Sequence, residues 1–230
     1  MKTYLIPDDC SLDNLDAPCF RSLLPEELNL VSASKTKVVF HKGENLTKQG
    51  TFASSVLFII EGLAKLYVEG EAGRNLNLQL LKGGEFVGLS VAFNKNRYDY
   101  SVVALTDTTA CLIEKEAITN LVKSNGNFGY NIIKRYCEQN TRLYGSISDL
   151  MNKQMNGRLA GALLYLYNEE VSGDVFTYLS RRDIADFAGL SVESTVKLLK
   201  SFERDNLIKL DEKNIILIDI PALEQINIHG

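Results

Sequence analysis

The sequence predicts an α+β chain: an antiparallel β domain, then a long helix, then a smaller domain of short helices closed by a two-stranded sheet. Three observations predict it. From Lys37 to Glu114 short β-rich runs alternate with turn residues, and half of the 16 glycines (43, 50, 62, 70, 73, 83, 84 and 88) fall between residues 43 and 88. After Glu114 the apolar spacing lengthens from two residues to three, four and seven, the period of a helix. From Ser180 to Leu207 two short helical patterns meet at a single glycine. The expected division is 1–150 for the β domain with its long helix, about 126–152, and 151–230 for the second domain.

Composition narrows the function classes. Hydrophobic residues make up 45% and charged residues 23% of the 230 residues, which suits a folded globular chain rather than a disordered or fibrous one. The formal net charge of −4 argues against wholesale coating of nucleic acid or an anionic membrane, so any DNA contact must be local. No apolar run approaches the roughly 18–20 residues that cross a bilayer, and the opening MKTYLIPDDCSLD turns acidic where a signal peptide stays apolar. Cytoplasm is the expected location, with no membrane partner. With only His41 and His229 available, histidine-based metal catalysis and Ser-His or Cys-His chemistry have little material. A cupin-like β-roll enzyme, the alternative from another class, would need a cluster of His and carboxylate ligands, so the chain is read as no enzyme.

Taken in order, the strand runs are Lys37 to His41, Val56 to Glu61, Leu63 to Glu69, Leu76 to Leu81, Tyr100 to Leu105 and Thr108 to Glu114. In the fourth, Leu76, Leu78 and Leu80 alternate with Asn77 and Gln79, which predicts leucines inward and polar residues outward. Short strands this close together suit a barrel or jelly roll. Ala117 to Lys123 reads as a short helix, broken at Asn125-Gly126-Asn127. The long helix then carries Phe128, Ile132, Tyr136, Leu143, Ile147 and Leu150, a heptad-like stripe interrupted by Gln139 and Asn140. Such a stripe either packs on its own β domain or pairs with a second copy, and its length favours the pair. Met155 to Glu169 reads as a further helix, and Val175 to Leu179 as a short strand.

Residues 180–207 read SRRDIADFAGLSVESTVKLLKSFERDNL. Ser180 can cap the first helix, with Asp183 completing a capping box, and Ser191 can cap the second. Ile184, Ala185 and Ala188 form one buried face and Leu190, Leu198, Leu199 and Phe202 the other, while Gly189 makes the turn. This is a helix-turn-helix pattern. Ile208 to Asp211 and Ile215 to Ile218, separated by Glu212-Lys213-Asn214, add a two-stranded wing, and a helix from Pro221 to Ile228 ends the domain. A recognition helix of this kind places its leading residues at base edges in the major groove, the groove that distinguishes all four base pairs. Val192, Glu193, Ser194 and Lys197 are on its outer side; Glu193 can accept from cytosine N4 and Lys197 can donate to guanine O6 and N7. Ser180, Arg181, Ser191 and Ser194 are placed for phosphate oxygens. The alternative is an ordinary helical hairpin with a solvated Glu-Lys pair.

A glycine-rich β-roll, a long dimer helix and a winged helix-turn-helix in that order resemble the family of the cyclic AMP receptor protein and the fumarate and nitrate reduction regulator, the Crp/Fnr family. The residues that carry the resemblance are Gly43-Glu44, Gln49-Gly50, Gly62, Gly84-Glu85-Phe86-Val87-Gly88, Arg158-Leu159-Ala160 and the run from Ser180 to Leu199. It implies a jelly-roll-like cyclic-nucleotide-binding-type domain and a homodimeric transcription regulator that binds a two-fold symmetric double-stranded DNA site and contacts RNA polymerase. Glu193 and Lys197 fall on the family's base-reading Glu and Arg; lysine lacks the planar fork, so a looser guanine preference is expected. Thr195 stands where the family usually has Val or Ile, and its hydroxyl must find a local backbone partner.

The resemblance places an effector pocket around Gly84, Glu85, Phe86, Tyr98 and Asp99. Where cyclic nucleotide binders carry an Arg-Ser pair for the phosphate, alignment on Ala104 puts Tyr98 and Asp99, so cyclic AMP is not expected and the effector is an unknown small molecule or redox signal. The family's oxygen-sensing branch holds a [4Fe-4S] cluster on four cysteines, and Cys10, Cys19 and Cys111 match three of those places, with Asp13 at the fourth. An iron–sulfur or thiol redox sensor is therefore the alternative within the family; no cofactor is assigned.

Overall fold

The glycine-punctuated runs become two four-stranded sheets, ordered β1-β8-β3-β6 and β2-β7-β4-β5. The computed structural model describes residues 20–93, 96–169 and 174–230. The strands are β1 (Lys35–Phe40), β2 (Asn45–Thr47), β3 (Ser55–Glu61), β4 (Leu63–Glu69), β5 (Asn75–Lys82), β6 (Phe86–Val87), β7 (Ser101–Ala104) and β8 (Thr108–Glu114). Between and after them run α1 (Pro25–Ala33), α2 (Leu89–Phe93), α3 (Lys115–Ser124) and α4 (Gly126–Asn152). β8 pairs antiparallel with both β1 and β3, and β7 with both β2 and β4. This is the expected β-roll followed by the expected long helix. α1, α2, β2 and β6 were not among the predicted elements; each is nine residues or shorter.

By contact, the chain falls into two units: up to Val68 with Gln79–Thr141, and Glu69–Leu78 with Arg142–Gly230. The first is built around a cluster of four phenylalanines. Phe20 and Phe58 meet edge to face with ring centres 4.9 Å apart, Phe58 and Phe86 lie 4.9 Å apart, and Phe20 and Phe128 6.1 Å. Pairs at these separations add attraction beyond the area they bury. Cys111, Ile113, Ile118, Leu121 and Ile132 complete this core.

α4 begins where the sequence showed a break, because Asn125 is its cap: the Asn125 Oδ1 accepts the Phe128 N–H at 3.0 Å. Its first turns are anchored inward, with Phe128 0% and Ile132 4% exposed. Beyond them Ile133, Tyr136, Leu143, Tyr144, Ile147 and Met151 are exposed, at intervals of three, seven, one, three and four. The predicted stripe is therefore split. Phe128 and Ile132 serve their own subunit's core and are not available to a second copy; Tyr136, Leu143 and Ile147 remain on the outside, joined by Ile133.

The second unit packs α5 (Met155–Asn168), α6 (Val175–Tyr178), α7 (Arg181–Ala188), α8 (Val192–Arg204), the antiparallel pair β9 (Ile208–Asp211) and β10 (Asn214–Leu217), and α9 (Ile220–His229). Leu159, Leu163 and Leu166 of α5, Ile184 and Ala185 of α7, and Leu199 and Phe202 of α8 form its core. Two expectations are corrected. Val175 to Leu179 is not a strand: Val175–Tyr178 is one helical turn, closed by Thr177 donating to Asp174, with Val175 and Phe176 buried. In β5 Leu80 is buried as expected, but Asn77 and Gln79 are buried too while Leu76 and Leu78 are half-buried. The burial of the two polar residues has a polar cause, since Asn77 Nδ2 donates to the Asp183 carbonyl at 3.0 Å and Gln79 Nε2 to Glu85 Oε1 at 3.4 Å.

Candidate nucleic-acid interface

Each turn of the α7–α8 hairpin is fixed by its own sequence. Ser180 caps α7: Asp183 N–H donates to Ser180 Oγ at 3.1 Å, and Ser180 N–H donates to the Asp183 carboxylate at 2.7 Å, the reciprocal box. Gly189 then takes φ 62°, the left-handed conformation, and closes the helix with Leu190 N–H donating to Ala185. Ser191 caps α8, accepting from Ser194 N–H at 3.0 Å. Thr195 is fully buried, and its hydroxyl donates to the Ser191 carbonyl at 3.0 Å, the backbone partner that such a hydroxyl requires.

α8 presents its leading end outward. Val192, Glu193 and Lys197 are exposed, the two charged side chains to 77% and 74%, and they form an ion pair at 2.7 Å across one helical turn. Ser180 and Ser191 are also exposed, and Ser194 is half-buried. The structure thus gathers Ser191, Val192, Glu193, Ser194 and Lys197 on one helix end, with Ser180 at the start of the neighbouring helix.

Arg181 is engaged differently from its expected role. Its Nη1 and Nη2 donate to the Lys213 and Glu212 carbonyls at 3.3 and 3.1 Å, and burial lowers its pKa. Those carbonyls belong to the tip between β9 and β10, where Glu212 has φ 51°. A residue with a side chain at that φ costs about 1–2 kcal/mol, so the guanidinium clasps a turn that lacks its favoured glycine or asparagine. Sequence reading missed this clasp; its signal was an arginine beginning one helix and a two-residue hairpin tip without glycine.

Each of the five residues expected to line a pocket in the roll has contacts of its own. Gly84 and Glu85 form the turn before β6, where Glu85 Oε2 accepts from Lys82 N–H at 3.0 Å. Phe86 points into the aromatic core. Tyr98 lies against Gly88, so closely that a Cβ there would stand 2.6 Å from the ring, and its hydroxyl donates to the Ser55 carbonyl at 2.9 Å. Tyr100, which sequence reading did not single out, accepts the Gly88 N–H on its hydroxyl at 2.8 Å. Burial raises the pKa of both, that of Tyr100 to about 12. Asp99 is exposed, accepts from Ser90 Oγ at 3.2 Å, and borders a cavity of about 490 Å3 with Phe93, Ile133, Tyr136 and Cys137.

Of the candidate cluster ligands, Cys10, Asp13 and Cys19 lie outside the described residues. Cys111 is fully buried in β8 within the aromatic core. Among the described residues no group of three or more His, Cys, Asp and Glu side chains could hold a metal ion. Among them, too, no helix is long and apolar enough to cross a membrane.

Comparison with known proteins finds one family model in each half of the chain. A family model described as a cyclic nucleotide-binding domain matches residues 37–125, and one described as a Crp-like helix-turn-helix domain matches residues 157–226. The chain belongs to the Crp/Fnr family of DNA-binding transcriptional regulators. The nitrogen fixation regulation protein FixK of Bradyrhizobium diazoefficiens is 24% identical over 225 residues, which cover 94% of this chain and 91% of that protein. The CRP-like cAMP-activated global transcriptional regulator of Mycobacterium tuberculosis is 21% identical over 212 residues, 90% of this chain and 95% of that protein. The structure of FixK2 from Bradyrhizobium japonicum superposes with a TM-score of 0.74 at 18% identity, covering 84% of this chain and 97% of that one, a likeness of fold.

Proposed function

We propose that this chain works as a cytoplasmic homodimer that binds a two-fold symmetric DNA site, with α8 of each copy in a major groove. The observation that carries this reading is the exposed leading end of α8, with Glu193 and Lys197 one turn apart on the outer face. Glu193 accepts from cytosine and Lys197 donates to guanine; Val192 makes apolar contact with the groove, and Ser180, Ser191 and Ser194 face phosphates. The Glu193–Lys197 pair opens at little cost, since exposed pairs are worth about 0–1 kcal/mol. Arg181 contributes through the clasped wing tip as well as through its charge. The functional division is 1–150 for the sensor with its dimer helix and 151–230 for the DNA-binding domain, and RNA polymerase is the onward partner. The function is regulatory, not catalytic.

Pairing uses the outer stripe of α4: Ile133, Tyr136, Leu143, Tyr144, Ile147 and Met151. A stripe this apolar on a charged chain wants a like partner. The cavity beside Asp99 shares Ile133 and Tyr136 with that stripe, so a second copy would cover it.

The roll's signal is not cyclic AMP. In place of an Arg-Ser pair the chain has Tyr98 and Asp99, and the Gly88 N–H already has the Tyr100 hydroxyl. Calorimetric titration of the full chain with cyclic AMP should show no heat of binding; saturable binding would overturn this part. The main reading is tested by selection from random duplex DNA. Enrichment of an inverted repeat with half-sites about one helical turn apart is expected, and failure to enrich any sequence at low salt would defeat it.

A further inference from the structure

The C-terminal unit encloses a cavity of about 250 Å3 that the DNA-facing end of α8 does not use. Leu76 and Asn77 of β5, Arg142 of α4, Arg158 and Tyr165 of α5 and Phe187 of α7 contribute walls. Two polar atoms of these walls are buried without a hydrogen-bond partner among the described residues: Asn77 Oδ1 and Arg158 Nε. Asn77 is only 3% exposed. Its orientation is fixed, because Nδ2 donates to the Asp183 carbonyl and a carbonyl can only accept; the atom left over is an acceptor. Arg158 Nη1 donates to the Gly189 carbonyl at 3.3 Å, which leaves the Nε–H as a donor with nothing to receive it.

Buried polar groups are almost always satisfied, so an orphaned donor and an orphaned acceptor in one cavity call for an occupant with complementary ends. The donor end is cationic, and Arg142 is a second basic residue along the wall. Asp149 also lines the cavity, and its carboxylate is ion-paired with Lys153 at 2.8 Å. A volume of about eight waters' share of the liquid admits a molecule the size of an amino acid. We propose that this cavity binds a small carboxylate that also carries an N–H or O–H donor. The carboxylate sits on the Nε edge of Arg158, where a guanidinium can meet both oxygens, and the donor meets Asn77 Oδ1. The site is independent of the roll pocket and does not rest on how the chain reads DNA. Because Arg158 also holds Gly189, the joint between α7 and α8, an occupant touches the group that holds that joint.

The test is nuclear magnetic resonance on the 15N-labelled full chain, following the arginine Nε–H resonances, with that of Arg158 assigned by its loss in Arg158→Lys. The probe is N-acetylglycine, which has both a carboxylate and an N–H; its methyl ester is the control. A saturable shift of the Arg158 resonance is expected with the acid and none with the ester, together with at least tenfold weaker binding in Asn77→Leu. The titration of unmodified protein decides the matter even if that variant fails to fold. No saturable shift at Arg158, or equal shifts from acid and ester, would overturn the proposal. So would an Arg158 Nε–H in contact with water and indifferent to the probe, which means that water alone satisfies the two atoms.

Discussion

Lys197 and Arg181 carry like charges on neighbouring helices, yet their surroundings give them separable roles. Lys197 is exposed and paired with Glu193, so Lys197→Ala should cost about 1–3 kcal/mol at one base pair of each half-site and little elsewhere. Arg181→Ala should weaken binding to all duplexes alike, because it loosens the wing tip and removes a charge without touching a base. Competition binding against a panel of single-base-pair variants distinguishes the two; equal losses on every sequence for both would remove Lys197 from base readout. In the roll, Tyr100 makes an alkaline prediction. The unfolded tyrosine loses its proton near pH 10 whereas the folded one keeps it to about 12, so its contribution to stability is complete below pH 10 and lost as pH rises toward 12. Urea unfolding at rising pH should show this decline, and Tyr100→Phe should flatten it. The caps at Ser180 and Ser191 and the back-bonded Thr195 were legible in the sequence because each needs only residues three or four positions away. The Arg181 clasp was not, since its partners lie more than thirty positions along the chain.

Among the elements, α4 shows how far periodicity reaches. Its bounds were readable from the spacing of apolar residues and the Asn125 cap, but spacing alone does not say which surface each residue meets. Phe128 and Ile132 fill the first unit's core while Ile133, one position on, faces out. Phe128→Ala should therefore destabilise the fold by about 3–5 kcal/mol, as large buried side chains do. Ile147→Glu should leave thermal unfolding of the monomer nearly unchanged and shift sedimentation from dimer to monomer. A dimer that survives Ile147→Glu would place the pairing face elsewhere. β5 and α6 mark where local pattern misleads. Asn77 and Gln79 are buried because polar partners from Asp183 and Glu85 meet them, information that alternation of leucines cannot contain. Val175 to Tyr178, with its β-branched and aromatic residues, has strand composition yet closes as a helical turn through Thr177 and Asp174. Small elements such as β6, two residues long, exist through their pairing with β3 and leave little trace in sequence.

For the whole molecule, charge and copy number decide how DNA is held. A chain of net charge −4 has six basic and five acidic side chains between Ser180 and Lys209, so one copy gains little from phosphates alone. Affinity for an inverted repeat should exceed that for a single half-site by orders of magnitude, and it should fall with added salt by roughly one logarithmic unit per unit of log salt for each phosphate neutralised. Fluorescence anisotropy on both duplexes across a salt series measures this, and Ile147→Glu should erase the difference between them. The order of the parts, roll then long helix then winged hairpin, was legible because each has its own residue period. The packing of Phe86 in the aromatic core and of Tyr98 against Gly88 was not, because those contacts join residues that local spacing does not connect.

The hold of Arg181 on Glu212 and Lys213 joins two pieces that a protein engineer would otherwise treat as interchangeable modules. Grafting a longer hairpin onto this scaffold would strand the arginine, and swapping the arginine would leave an awkward bend unsupported. Across its descendants, position 181 and the length of that bend should drift as one inherited trait.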